Sequence, residues 1–380
     1  MRIKYIIYSV LFALLLGSCS KEDIEIKGPA KRTVLAYMVA SDLGGYIRPN
    51  IDQMMTVASN KELNGGNLVI YYSESKSKSY LFQIKEDKKG NIVTDTVRFY
   101  ENQSAISPET MHNVVKEVTE LFPAESYGII LSSHGTSWLP GNFSSLRSFG
   151  AENYQYMEIT EMNEALEGFH FDFMLFDACY MSGIECAYEL KDKTDYLLGS
   201  PTEILGQGFP YKDFLPALFK NKADLEMVTK SFYDYYNNSS NPYATVSLIK
   251  TNELDELAQI VNDILKDKTE DDIYDLPLSN MQILEYLTKN SPHMLYDFDD
   301  FIKYLANDEQ YERFTTSMEK VVVSKYATPY SFYGELGKYN LLDGIRKIER
   351  FSGLSVFVPQ PSLTKLSDWY KQLAWYKAVY

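Results

Sequence analysis

From residue 33 onward the chain repeats one theme, a short apolar run rich in β-formers followed by an amphipathic stretch. The runs cover residues 33–40, 67–72, 127–132, 171–177 and 195–199. Between the later runs, residues 108–121, 159–169 and 183–190 place apolar side chains three and four apart, the spacing of one helix face. Pro108 directly after Ser107 suits a helix start, because its missing N–H falls where no intrahelical partner exists. Apolar strands alternating with helices predict an α/β fold, a mainly parallel sheet covered on both faces.

Two segments depart from this rhythm. Residues 80–100 alternate around Lys88-Lys89-Gly90-Asn91, which predicts a hairpin. Residues 136–157 are polar, rich in Gly and Ser and long for a connection, and long connections are usually functional. Beyond about residue 251 the pattern turns mostly helical, as at 253–265 and 300–326, with a late strand at 354–359 and an aromatic tail holding Trp369 and Trp375. We read residues 33–250 as the main domain and 251–380 as a mostly helical C-terminal subdomain packed on its sheet.

The start of the chain has a different logic. Arg2 and Lys4 precede an apolar run over residues 6–16, the layout of a secretory signal and too short to span a bilayer. Leu16-Gly17-Ser18-Cys19 follows at once and looks like a bacterial lipobox. We therefore expect residues 1–18 to be a lipoprotein signal peptide, Cys19 to carry the lipid, and 19–32 to be a tether. Its polar, acidic Ser20-Lys21-Glu22-Asp23 resembles the surface-export signal of some Gram-negative lipoproteins. The expected location is an exported, membrane-anchored lipoprotein, in the outer membrane or at the cell surface.

Composition narrows the function. A net charge of −15 argues against a nucleic-acid binder, which needs a basic face to displace counterions from phosphates. The 31 Tyr and 20 Phe are compatible with a sugar-stacking surface, but core packing is the simpler account of them. With Cys19 lipidated, only Cys179 and Cys186 remain of three cysteines. Seven positions apart, they would sit roughly 10 Å apart along the axis if the segment after Cys179 is helical, too far for a disulfide. An exported chain without a disulfide framework but with an isolated thiol in a motif is a candidate for thiol chemistry.

Two strand ends carry that chemistry, Ser132-Ser133-His134-Gly135 and Phe176-Asp177-Ala178-Cys179. Ligands of parallel α/β sheets bind beyond the carboxyl ends of strands, so His134 and Cys179 should face one crevice. A helix expected near Gly183 should lower the Cys179 thiol pKa through its N-terminal dipole. Gly135 allows close backbone approach, and its N–H with that of Cys179 would stabilise an oxyanion. Cys186 reads as core. His112, His170 and His293 lack metal-ligand spacing, and no HExxH, P-loop or GxSxG occurs.

These motifs resemble those of the clostripain family of cysteine peptidases, in the clan of caspases, legumain and gingipains. Met181 and Glu185 after the cysteine, and Gly199-Ser200-Pro201-Thr202-Glu203 running on to Gly208-Phe209-Pro210-Tyr211, extend the likeness. The resemblance implies a caspase-like three-layer α/β sandwich and a Cys–His dyad. Cys179 would form a thioester and His134 would protonate the leaving amine. Ser200, Pro201, Thr202 and Glu203 would pair with an extended substrate. The equivalent of Asp177 in the family helps bind Arg or Lys before the scissile bond. Gln207 stands where basic-specific relatives carry an acid, and Glu203 would have to compensate.

The reaction is expected to require no cofactor and no metal, and a calcium requirement is left open. The expected partners are protein or peptide substrates and, through the lipid, a membrane, with no nucleic acid; the oligomeric state is left open. Two other readings stand beside the endopeptidase: a surface lipoprotein that binds glycans or host proteins on a silent peptidase fold, and a peptide ligase using the same thioester. Relatives can mature by cutting between the two catalytic strands, where Arg147 is the only basic residue of segment 137–150. An ordered, uncut wall is the competing expectation for that segment.

Overall fold

The structure is a computed structural model that describes residues 29–75, 77–140, 149–152, 155–286, 292–338 and 340–380. Its strands are β1 (Thr33–Val39), β2 (Asn67–Ser75), β3 (Lys78–Glu86), β4 (Ile92–Tyr100), β5 (Tyr127–Ser132), β6 (Phe149–Glu152), β7 (Gln155–Met157), β8 (Phe173–Asp177), β9 (Tyr196–Gly199), β10 (Thr245–Lys250), β11 (Leu295–Asp297), β12 (Val322–Ala327), β13 (Tyr330–Phe332), β14 (Ile345–Lys347) and β15 (Ser355–Phe357). Nine of them form one sheet in the order β12-β10-β9-β8-β5-β1-β2-β3-β4. The five central strands, β2, β1, β5, β8 and β9, are parallel, and each flank is antiparallel.

The parallel centre follows from the side chains. β1 and β8 are buried along their whole length, so neither face meets water. Along β1, Leu35, Tyr37 and Val39 join one hydrophobic cluster, whereas Val34, Ala36 and Met38 join the other. This alternation gives the sheet two apolar faces. Helices Pro108–Leu121, Ile159–Ala165, Ile184–Glu189 and Leu254–Leu265 cover the first, and Gly44–Thr56, Tyr211–Leu218 and Leu225–Asn237 cover the second. The result is a three-layer α/β sandwich with a mainly parallel core. The hairpin β3–β4 lies where the alternating pattern predicts it.

One element departs from expectation. Residues 300–326, read as helical, are the helices Phe298–Leu305 and Asp308–Val321 followed by strand β12, which pairs with β10 at the sheet edge. The β-branched run Val321-Val322-Val323 suits a strand, and its half-exposed edge position hides it from a search for continuous apolar runs. The chain beyond residue 251 thus supplies helices on one face and a strand of the sheet itself. Among the described residues no helix is long and apolar enough to cross a membrane.

Candidate active site

β5 and β8 run parallel with Ser132 opposite Asp177, and the N–H of Ser133 donates to the carbonyl of Asp177 at 3.3 Å. His134 and Cys179 lie two positions past that pair on neighbouring strands, so register alone brings them to one end of the sheet. The two connections touch there: a Cβ on Gly135 would lie 2.5 Å from the Cys179 carbonyl oxygen and 3.0 Å from Ala178 Cβ. Any larger residue at 135 would have to push the two connections apart. His134 and Cys179 are both partly exposed, whereas Ala178 and Tyr180 beside the cysteine are buried.

The turn after the thiol is held in an uncommon conformation. Tyr180 has φ of 64°, a left-handed value that costs a side-chain-bearing residue about 1–2 kcal/mol. Its N–H donates to the Thr202 carbonyl at 2.9 Å, and that of Ser182 to the Ser200 carbonyl at 3.1 Å. This ties the cysteine turn to residues 200–204. The Cys179 Sγ accepts from the Ile204 N–H at 3.2 Å and lies 3.6 Å from the Ile204 carbonyl oxygen. On the other side of the site, His134 Nε2 lies 3.1 Å from Asp42 Oδ1.

The expected electrostatics are overturned at the thiol. Burial and the nearby Glu203 carboxylate push the Cys179 thiol well above its ordinary value. The helix invoked to lower it is the short Ile184–Glu189, which begins five positions beyond Cys179, and a terminal dipole fades within a turn.

Asp177 is buried and satisfied from within. It accepts from the Tyr211 hydroxyl at 2.7 Å, the Phe209 N–H at 3.2 Å and the Ser132 hydroxyl at 3.4 Å. Burial lifts its pKa to about 6 against these hydrogen bonds. Gly208, at φ of 64°, brings its backbone onto that carboxylate, and a Cβ there would sit 2.6 Å from either oxygen. Gln207 is exposed on the rim.

The residues expected to line the cleft are placed unevenly. Ser200 and Thr202 turn inward, where their hydroxyls form a closed network with Thr245 at 2.8 Å. Pro201 is buried. Glu203 holds the Gly334 N–H between its oxygens at 2.9 and 3.0 Å, which fastens the segment after β13 beside the thiol. Cys186 is in the core, 3.4 Å from the Ser137 hydroxyl. His112, His170 and His293 are scattered over separate elements with separate partners. Cys19 and Arg147 lie outside the described residues.

Sequence reasoning missed three participants: Asp42, Ile204 and Gly334. Of these only Asp42 left a signal, an acid just past the end of an apolar strand.

Comparison with known proteins places the chain in a family. The family model described as the clostripain family matches residues 36–380. The X-ray structure of an inactive zymogen protease from Parabacteroides distasonis is 42% identical, with a TM-score of 0.84 over 93% of this chain and 99% of that one. A secreted cysteine protease from Bacteroides thetaiotaomicron is 28% identical, with a TM-score of 0.83 over 93% of this chain and 100% of its own. A structure from the same organism, in complex with an irreversible peptide inhibitor, is 27% identical at a TM-score of 0.79, covering 92% of this chain and 99% of that one. Among curated proteins none matches.

Proposed function

Since the chain belongs to the clostripain family and is a cysteine endopeptidase, we propose that Cys179 is its nucleophile and His134 its acid–base partner. The observation that carries this is register: the two residues occupy equivalent positions past the paired Ser132 and Asp177, with Gly135 packed on the Cys179 carbonyl. His134 takes the thiol proton, and Sγ attacks the scissile carbonyl carbon. The tetrahedral oxyanion is met by the N–H groups of Gly135 and Cys179. His134 then passes its proton to the departing amine, leaving a thioester that water hydrolyses.

The thiol pKa is raised by desolvation and by the nearby Glu203, so on this assignment its deprotonation falls to His134. Residues 200–204 would receive an extended peptide through backbone groups other than the Ser200 and Thr202 carbonyls, which already serve the cysteine turn. We assign Asp177 the base of the pocket for a residue preceding the scissile bond. Once it is released from the Tyr211, Phe209 and Ser132 groups that it accepts from here, its carboxylate would favour Arg or Lys there through charge-assisted hydrogen bonds. Gln207 at the rim lends no charge, and Glu203 is engaged with Gly334, so the preference rests on Asp177 alone.

Export and lipidation at Cys19 complete the reading, in keeping with the secreted relative, and Arg147 is the internal site that a basic preference would select for self-processing. One experiment tests activity, specificity and processing together. The protein lacking residues 1–19 is incubated with an unbiased peptide library, and both the peptides and its own fragments are weighed. We expect cleavage after Arg or Lys and a break after Arg147, all lost in Cys179→Ala and His134→Ala. Turnover that survives Cys179→Ala would exclude the nucleophile. Binding of ligands without any turnover would favour a silent surface binder, and products joined to added amines would favour a ligase.

A further inference from the structure

Three neighbouring parallel strands, β1, β5 and β8, end at the same edge of the sheet. Two of them deliver His134 and Cys179. The third delivers Asp42, three positions past the end of β1, with its carboxylate Oδ1 3.1 Å from His134 Nε2. We propose that Asp42 is a positioning residue that holds the His134 ring, so that the site is a line of three side chains, one from each strand. The proposal rests on the dyad assigned above.

The chemistry of imidazole supports this role. A nitrogen that faces a carboxylate carries the N–H, and the other nitrogen is then left with its lone pair. Here Nε2 faces Asp42, and a neutral ring that donates its Nε2–H to that carboxylate leaves Nδ1 with the lone pair. That is the tautomer a base needs in order to take the Cys179 proton. A ring anchored through one nitrogen also loses rotational freedom, which holds the other nitrogen in one direction.

No competing duty occupies Asp42. The helix Gly44–Thr56 has Leu43 at its N-cap and no side-chain capping bond, so the carboxylate is not spent on the helix. The nearest basic side chain in sequence, Arg48, goes elsewhere: its Nε donates to the Tyr72 hydroxyl at 3.1 Å, and its guanidinium pairs with Glu74. The connection that aims Asp42 is tight. Ser41 before it has φ of 35°, in the left-handed region that non-glycine residues seldom adopt, and the Leu43 N–H closes the turn on the Ala40 carbonyl. Backbone strain of this kind persists where surrounding structure enforces it.

Asp42 is 75% exposed at its side chain, against 30% for His134. Water screens the pair, and its effect is therefore orientation more than charge. This distinguishes the proposal from a simple ion pair, because asparagine retains the accepting oxygen and loses only the charge.

The test compares Asp42→Ala, Asp42→Asn and His134→Ala by steady-state peptide hydrolysis and by the rate at which iodoacetamide labels Cys179. Asp42→Ala should lower kcat about 10-fold with KM within about 2-fold, because one orienting contact to a general acid–base is lost. Asp42→Asn should recover most of that loss. Wild-type kcat in Asp42→Ala, or an Asp42→Asn variant as slow as Asp42→Ala, would overturn the positioning role. His134→Ala separates the two levels of inference: if it too leaves hydrolysis and labelling unchanged, the dyad itself is wrong. If it abolishes hydrolysis while Asp42→Ala is unaffected, only the role of Asp42 falls.

Discussion

At the scale of single residues, several acids in this protein are buried without a cation. Glu185 is fully buried; one oxygen accepts from the Phe357 N–H at 2.7 Å, and the other has no hydrogen-bond partner. Burial lifts its pKa to about 7. A carboxyl whose folded pKa is raised favours the fold while protonated. That stability is complete below the unfolded value near 4 and drains away as pH rises through 7. The full swing for such a shift is about 3 kcal/mol. Glu185→Gln keeps the acceptor for Phe357 and cannot ionise. Its melting temperature relative to wild type should therefore climb between about pH 4 and pH 7, while Asp177 and Asp297, both lifted by burial to about 6, titrate equally in the two proteins. A difference that stays flat over that range would show that Glu185 does not titrate there.

At the scale of elements, the site is made by strand ends and by the backbone that lets them meet. Gly135 is the tightest point. Alanine there would put a methyl 2.5 Å from the Cys179 carbonyl oxygen and 3.2 Å from Met181 Cγ, and the two connections would have to part. We expect Gly135→Ala to fold, with kcat/KM lowered by about 10²-fold, since a displacement near 1 Å costs that much in an aligned reaction. Near-wild-type kinetics would show that the connections are looser than their contact implies. Much of this scale could be read from sequence: the run 127–132 and the helix 108–121 have the bounds expected of them, because burial on both faces or on one stripe leaves a clear period. Other features left no local trace. Asp42 meets His134 across 92 positions, Glu203 meets Gly334 across 131, and the hydroxyls of Ser200 and Thr245 are 45 apart. Such contacts come from strand order, which no window along the chain contains. The expectation of a lowered thiol pKa failed for a related reason: it weighed one short helix and could not weigh the desolvation imposed by the whole fold.

At the scale of the molecule, the last third of the chain is part of the same core as the first. One hydrophobic cluster joins Ile184, Ala187 and Leu190 to Leu354, Val356 and Trp375, and Tyr188 packs edge-on against Trp375 at 5.4 Å. β12 closes the sheet against β10, and the Ser247 hydroxyl reaches the Gly353 carbonyl at 2.6 Å. A fragment of residues 29–250 should therefore fail to fold cooperatively: it should lack a sharp thermal transition by circular dichroism where the full chain shows one. A cooperative, soluble fragment would mean that residues 251–380 are dispensable packing. The same arrangement sets a schedule. Ribosomes make Cys179 early, yet the Ser182 carbonyl finds the Ser355 N–H, and Glu203 finds Gly334, only once the C-terminal third has been synthesised. A half-made chain thus holds Cys179 without the segments that fasten the surroundings of its turn in the finished fold.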